Sequence, residues 1–132
     1  MLTRLLCVLL LSASGGTVAL AHHSYAAYVR EEKVSIEGTL EHLTLGNPHG
    51  ILTLRTDEGT VFMAEWGNAF QLDRSGFVAG MLAVGDRVVV TGSPAKDPAT
   101  HRLALVTEIR RPRDGWQWSK NGTIAPKESA QP

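Results

Sequence analysis

Residues 33–45, KVSIEGTLEHLTL, alternate in polarity over a longer stretch than an ordinary strand requires. Val34, Ile36 and Leu40 share one side, while Ser35, Glu37, Thr39 and Glu41 share the other. Successive strand side chains point to opposite faces, so the pattern predicts a half-buried strand. Gly38 falls on the apolar side, where a missing Cβ permits a bulge or a sharp coil. A long strand bent near its middle can serve both halves of one sheet. That restricts the chain to a small, strongly curved β structure.

The remaining segments fit this restriction. GNPHG (46–50) reads as a turn, with Pro48 pushing Asn47 towards an extended conformation. ILTLRT (51–56) and TVFMAEW (60–66) read as strands joined by the tight turn DEG. Asn68 is placed to cap a short helix over AFQLDRS, with Ala69, Phe70 and Leu72 packing inwards and Gly76 ending it. FVAGMLAVGD reads as a second apolar turn or short helix, and DRVVVTG and RLALVTEIR as two further strands. Three strands, a helix and two strands form the layout of the OB-fold, a small five-stranded barrel with its helix between strands 3 and 4. Closure is favoured over an open sheet because it removes exposed edges. The fold class is therefore mainly β.

The chain ends carry separate readings. Arg4, the apolar run 5–11, and the small residues leading to Ala19 and Ala21 predict a cleaved secretory signal over 1–21. That segment is too short and too interrupted for a stable membrane span. Residues 22–32 read as an arm, 33–112 as the barrel domain and 113–132 as a disordered polar tail, Trp116 and Trp118 notwithstanding. The expected location is the periplasm. Cys7 is the sole cysteine and lies in the signal, so the processed chain uses neither disulfides nor thiolate ligands.

Processing removes Arg4 and leaves twelve Lys and Arg against thirteen Asp and Glu. A net charge so close to zero gives no pull towards nucleic acid. RRPR (110–113) is the single basic cluster and reads as a solvated strand end. No nucleophile elbow, phosphate-cradling loop or spaced carboxylate pair is present, and the chain is not read as an enzyme. Lys96 and Asp97 read as a surface ion pair.

The histidines carry the chemistry. Cleavage after Ala21 would free the α-amino group of His22, whose pKa of about 8 lets a metal displace its proton near neutrality. That amine and the His22 ring can close a chelate, and a further imidazole would complete a T-shaped site of three nitrogens. Such coordination suits Cu(II), which heads the divalent affinity order. A second mode would use the amine, the His23 amide nitrogen and the His23 ring. His49 is the candidate third nitrogen, on the loop between the first two strands that borders the usual OB binding face. Glu65 could ligate or orient a ligand from the second layer, and Met63, of the same parity, could add a thioether unless it is core. His42 and His101 read as structural or solvent-facing.

AHHSYAAY, NPHG, the glutamate of AEW, VGDRVVVTG and SPAKD together resemble a family of small secreted bacterial proteins catalogued as domain of unknown function 6152. The likeness runs from His22 to about Arg110. It picks out His22, His23, Asn47, Pro48, His49, Glu65, Gly85, Asp86, Gly92, Ala95 and Lys96 as matching the family pattern. It implies a periplasmic small barrel and brings no settled activity. The chain departs from the pattern at Val29, near Gly46 and at Pro98, where an acidic residue, an aromatic and a glycine are expected.

Two functional expectations follow. The leading one is a periplasmic protein that binds a divalent metal, copper by preference, for sequestration, delivery or sensing, with a metal donor or acceptor as partner. The other is a metal-free interaction module whose face, including Asn47, Trp66 and Lys96, holds a peptide, a glycan or an envelope protein. A small copper oxidase ranks behind both, because no substrate platform is visible.

Overall fold

A computed structural model of the chain describes residues 25–124. The expected signal segment and His22 and His23 lie outside the described residues. Five strands, β1 (Val34–Thr44), β2 (Gly50–Arg55), β3 (Val61–Trp66), β4 (Arg87–Pro94) and β5 (Arg102–Arg111), are joined in the sheet order β3-β2-β1-β4-β5. A short parallel pairing of Met63 and Ala64 with Arg102 and Leu103 links β3 to β5 and closes the barrel. Helix α1 (Ala69–Arg74) lies between β3 and β4 in the chain. The OB-like layout stands.

Strand β1 is the shared strand that the alternation predicts. Residues 34–39 pair with β4 and residues 39–44 pair with β2, so Thr39 marks the handover. Gly38 serves a close approach at that point: a Cβ there would lie 2.6 Å from the Arg55 carbonyl oxygen. The register irregularity itself falls a little later, between Leu40 and His42. The inner face is filled by Leu40, Leu52, Leu54, Ala64, Val88, Val90, Leu103 and Ile109, all essentially inaccessible.

Several local expectations need correction. Asn68 caps α1 as expected, in a reciprocal capping box with Gln71. Of the expected inward residues, though, only Leu72 is buried, and Phe70 is 66% exposed. Residues 77–86 form successive turns without a helix, and they bury Phe77 and Leu82. Met63 is 38% exposed on the outer face and is not core. Asp97 accepts a hydrogen bond from the Ala99 amide and caps the turn Pro98–Thr100 instead of pairing with Lys96.

The largest correction concerns the tail. Strands β6 (Trp116–Ser119) and β7 (Gly122–Ile124) extend the sheet beyond β5. Trp116 and Trp118 are buried in the core cluster, and the Trp118 indole N–H donates to Ser75 Oγ at 2.7 Å. The two tryptophans point inwards because they stand two residues apart on one strand. Burial of two such rings offsets the cost of ordering a short hairpin. Residues 125–132 lie outside the described residues.

The RRPR cluster is also partly internal. Arg111 is buried and bonds Asp86 Oδ2 at 2.9 Å, the Met81 carbonyl at 2.8 Å and the Asp114 carboxylate. Arg113 pairs with the other Asp86 oxygen and Arg110 with Glu108. The cluster is neutralised within the fold.

Candidate functional site

The arm places the site. Tyr25–Ala27 form a single helical turn, after which Tyr28 bridges to Ala95 in antiparallel fashion. The Val29 amide donates to the Pro94 carbonyl at 2.9 Å, and the Lys96 amide to the Ala27 carbonyl at 2.8 Å. The arm thus lies on the β4–β5 connection. Its first described residue reaches the β1–β2 connection, where the Tyr25 and His49 rings stand 6.3 Å apart.

A buried charge cluster anchors this arm. Along β3 the inner positions are Ala64 and Trp66, so Glu65 belongs to the outer face, beside Met63. It is nevertheless only 6% exposed, because the arm covers it. Glu65 Oε1 accepts from the Tyr28 hydroxyl at 3.2 Å and from the Arg102 guanidinium at 3.0 Å. A buried carboxylate needs such donors to retain its charge. Burial, followed by the negative charge of Glu65, raises the Tyr28 hydroxyl above its ordinary value. Tyr28 is held as the neutral donor.

His49 is half-buried on a fixed loop. The Gly50 amide donates to the Gly67 carbonyl at 3.0 Å, and the Ala69 amide to the Gly46 carbonyl at 3.3 Å. A Cβ at Gly50 would meet that same Gly67 oxygen at 3.0 Å, so the glycine after His49 permits the approach. The Asn47–Pro48 peptide bond is cis. Tyr25, His49, Glu65 and Trp66 border one cavity of about 630 Å³, which Leu72, Val106 and Trp118 also line. A second pocket of about 320 Å³, which shares Tyr25 and Glu65 with the first, is lined by Tyr28, Ala95 and Arg102, among others.

The structure therefore brings His49, Glu65 and Trp66 to one cavity, which Asn47 and Lys96 do not line. Asn47 and Lys96 are both exposed. Trp66, expected on a binding face, is 2% exposed and packs edge-on against Phe77 and Trp118, with ring centroids 4.7 Å and 4.9 Å away. It is a core residue because its parity on β3 turns it inwards. His42 and His101 are exposed, and His101 sits beside the Phe62 ring. Among the described residues, no group of three or more His, Cys, Asp or Glu side chains is disposed to hold a metal ion.

Sequence reasoning missed Tyr25, Tyr28 and Arg102. Tyr28 ends the HHSYAAY run with no period to mark it, and Arg102 opens a strand as an ordinary surface cation would. The sole usable signal was Glu65 itself, a charged residue between Ala64 and Trp66 that calls for a partner once covered.

Several positions matching the family pattern have structural duties. Gly85 has a φ of +95°, Asp86 binds Arg111 and Arg113, and Ala95 and Lys96 receive the arm. Among the described residues, no helix is long and apolar enough to cross a membrane. No curated protein matches the chain in sequence. The model of the family of unknown function DUF6152 matches residues 10–104, which is most of the chain, and the protein belongs to that family.

Proposed function

We propose that the protein is a periplasmic metal-binding barrel that takes a divalent cation, copper by preference, between its processed N-terminus and His49. The observation carrying this reading is the 6.3 Å approach of Tyr25 to His49 at the start of an anchored arm. His22 stands three positions before Tyr25, a reach of at most about 10 Å along the chain. That reach allows ligands at His22 and His49 to share one ion. The His22 amine and ring would supply two nitrogens and His49 the third, with His23 as the alternate ligand.

Glu65 takes a different part from direct ligation. Its Oε1 already accepts from a cation and a hydroxyl, so it supports the site by holding the arm in place. The supply of a metal by a donor, or its release to an acceptor, fits a site built at a chain end, and sequestration or sensing fits equally. The rival interaction module loses support from the arm, which occupies the face between the two loops where OB barrels commonly bind. Burial of Trp66 weakens it further.

Cu(II) titration tests the reading on two versions of the chain, one beginning at His22 and one carrying an extra residue before it. The extension converts the His22 amine into a peptide nitrogen. Tight binding only by the first is expected. Equal, weak binding by both overturns the proposal.

A further inference from the structure

Glycine directly follows an aspartate or asparagine at two places, Asp114–Gly115 and Asn121–Gly122. The carbonyl carbon of such a side chain can be attacked by the next residue's amide nitrogen, closing a five-membered succinimide. Glycine favours the attack because it has no Cβ to crowd the ring. A Cβ built on either Gly115 or Gly122 would meet nothing within 4 Å, so space does not separate the two pairs.

Side-chain engagement does separate them. Arg111 Nε lies 3.1 Å from each Asp114 carboxylate oxygen, and the Trp116 amide donates to Oδ1 at 3.2 Å. The same guanidinium holds the Asp114 carboxyl below its ordinary value, as an anion that is a poor electrophile. Asn121 is exposed in the β6–β7 turn. Its backbone amide donates to Ser119 Oγ at 3.4 Å, while among the described residues its side-chain amide makes no hydrogen bond. The other two asparagines are closed to this chemistry. Pro48 gives Asn47 no following N–H, and Asn68 Oδ1 accepts from the Gln71 amide at 2.9 Å in the α1 cap.

From this contrast we infer that Asn121 is a site of spontaneous deamidation whose isoaspartate product loosens the β6–β7 hairpin. The Gly122 nitrogen bonds to Asn121 Cγ and gives up its proton as ammonia leaves. Water then opens the imide to aspartate or isoaspartate. Isoaspartate routes the backbone through Cβ and Cγ and so adds one carbon to the turn. Turn length fixes hairpin register, and here Ser119 pairs with Gly122, with Ser119 Oγ donating to the Gly122 carbonyl at 3.2 Å. The added carbon disrupts that pairing. Trp118 and Thr123 of the hairpin both bond Ser75, so the loosening reaches the end of α1. The chemistry needs water and no metal, so it stands apart from the copper reading.

The test incubates the protein in mildly alkaline buffer with EDTA, folded and, in parallel, unfolded in guanidinium chloride. Chymotryptic cleavage after Trp116 and Trp118 separates the two pairs, and each fragment is read by mass and by isoaspartyl methyltransferase labelling. From folded protein, the fragment beginning at Ser119 should gain one dalton and accept methyl groups, whereas the fragment ending at Trp116 should stay unlabelled. From unfolded protein, both should be labelled. The converted protein should exchange its Trp118 indole N–H faster than the parent, with β1 and β2 unchanged. Asn121→Ser should abolish the mass gain and the faster exchange. A Ser119 fragment that converts only in the unfolded chain overturns the inference. Equal labelling of both fragments from folded protein, or Trp118 exchange unaltered by conversion, overturns it as well.

Discussion

Tyr25 on the arm and His49 on the β1–β2 loop stand ring to ring, with centroids 6.3 Å apart. The contact joins two segments that are distant in sequence and have no common secondary structure. Three supports create it: the Glu65 cluster beneath Tyr28, the arm's hydrogen bonds to Pro94 and Lys96, and the short bonds that fix the loop carrying His49. The barrel thereby presents its own N-terminal arm where relatives by architecture present an open binding face.

Tyr28→Phe removes one donor to a buried carboxylate while leaving Arg102 in place. The expected cost is about 1.5–3 kcal/mol, the range for a hydrogen bond to a charged group. The arm should open locally, so hydrogen exchange at the Val29 and Lys96 amides should accelerate while the barrel strands stay protected.

Alkaline pH should loosen the same anchor. The folded-state value of the Tyr28 hydroxyl is raised above its ordinary 10.0, by burial and then by Glu65. A raised folded value means that the stabilisation is complete below pH 10 and is lost as pH rises through the folded value. Ultraviolet titration of tyrosine ionisation should show one late-titrating tyrosine that disappears in Tyr28→Phe.

Gly38→Ala places a methyl group where the Arg55 carbonyl oxygen stands 2.6 Å away. Backbone on the partner strand cannot swing aside as a side chain can. Destabilisation of about 1–3 kcal/mol is expected from the forced separation of β1 and β2, measured by urea denaturation.

Arg111→Ala leaves Asp86 buried without its inner partner, although Arg113 still reaches the other oxygen. Breaking a buried pair typically costs about 3–5 kcal/mol, and the remaining arginine places this case near the lower bound. Thermal unfolding of Arg111→Ala beside Arg113→Ala should show the first as much the more damaging.

The barrel was legible because periodicity reports burial on one face, and β1 carries that signal over eleven residues. The Asn68 cap was legible because capping is local. The β6–β7 hairpin was readable in principle: Trp116 and Trp118 alternate, and Lys120 and Asn121 precede Gly122 in a tight turn. Its polar composition hid it. The Glu65 cluster was not legible, since Glu65 sits on an outer-face position and is buried by Tyr28, 37 residues away. Trp66 was misplaced because its parity gives an inward side chain and aromatic residues serve core and binding face alike. His49 alone among the proposed ligands falls within the described residues, on a loop that Pro48 and Gly50 marked in advance.

Nitrogen coordination at the proposed centre can be counted directly. Pulsed electron paramagnetic resonance on the chain beginning at His22, loaded with one equivalent of Cu(II), reads the imidazoles bound to the ion. Two coupled imidazoles in the parent, one of them lost in His49→Ala along with a marked fall in affinity, is the predicted result. A spectrum and an affinity unchanged by His49→Ala would contradict the account.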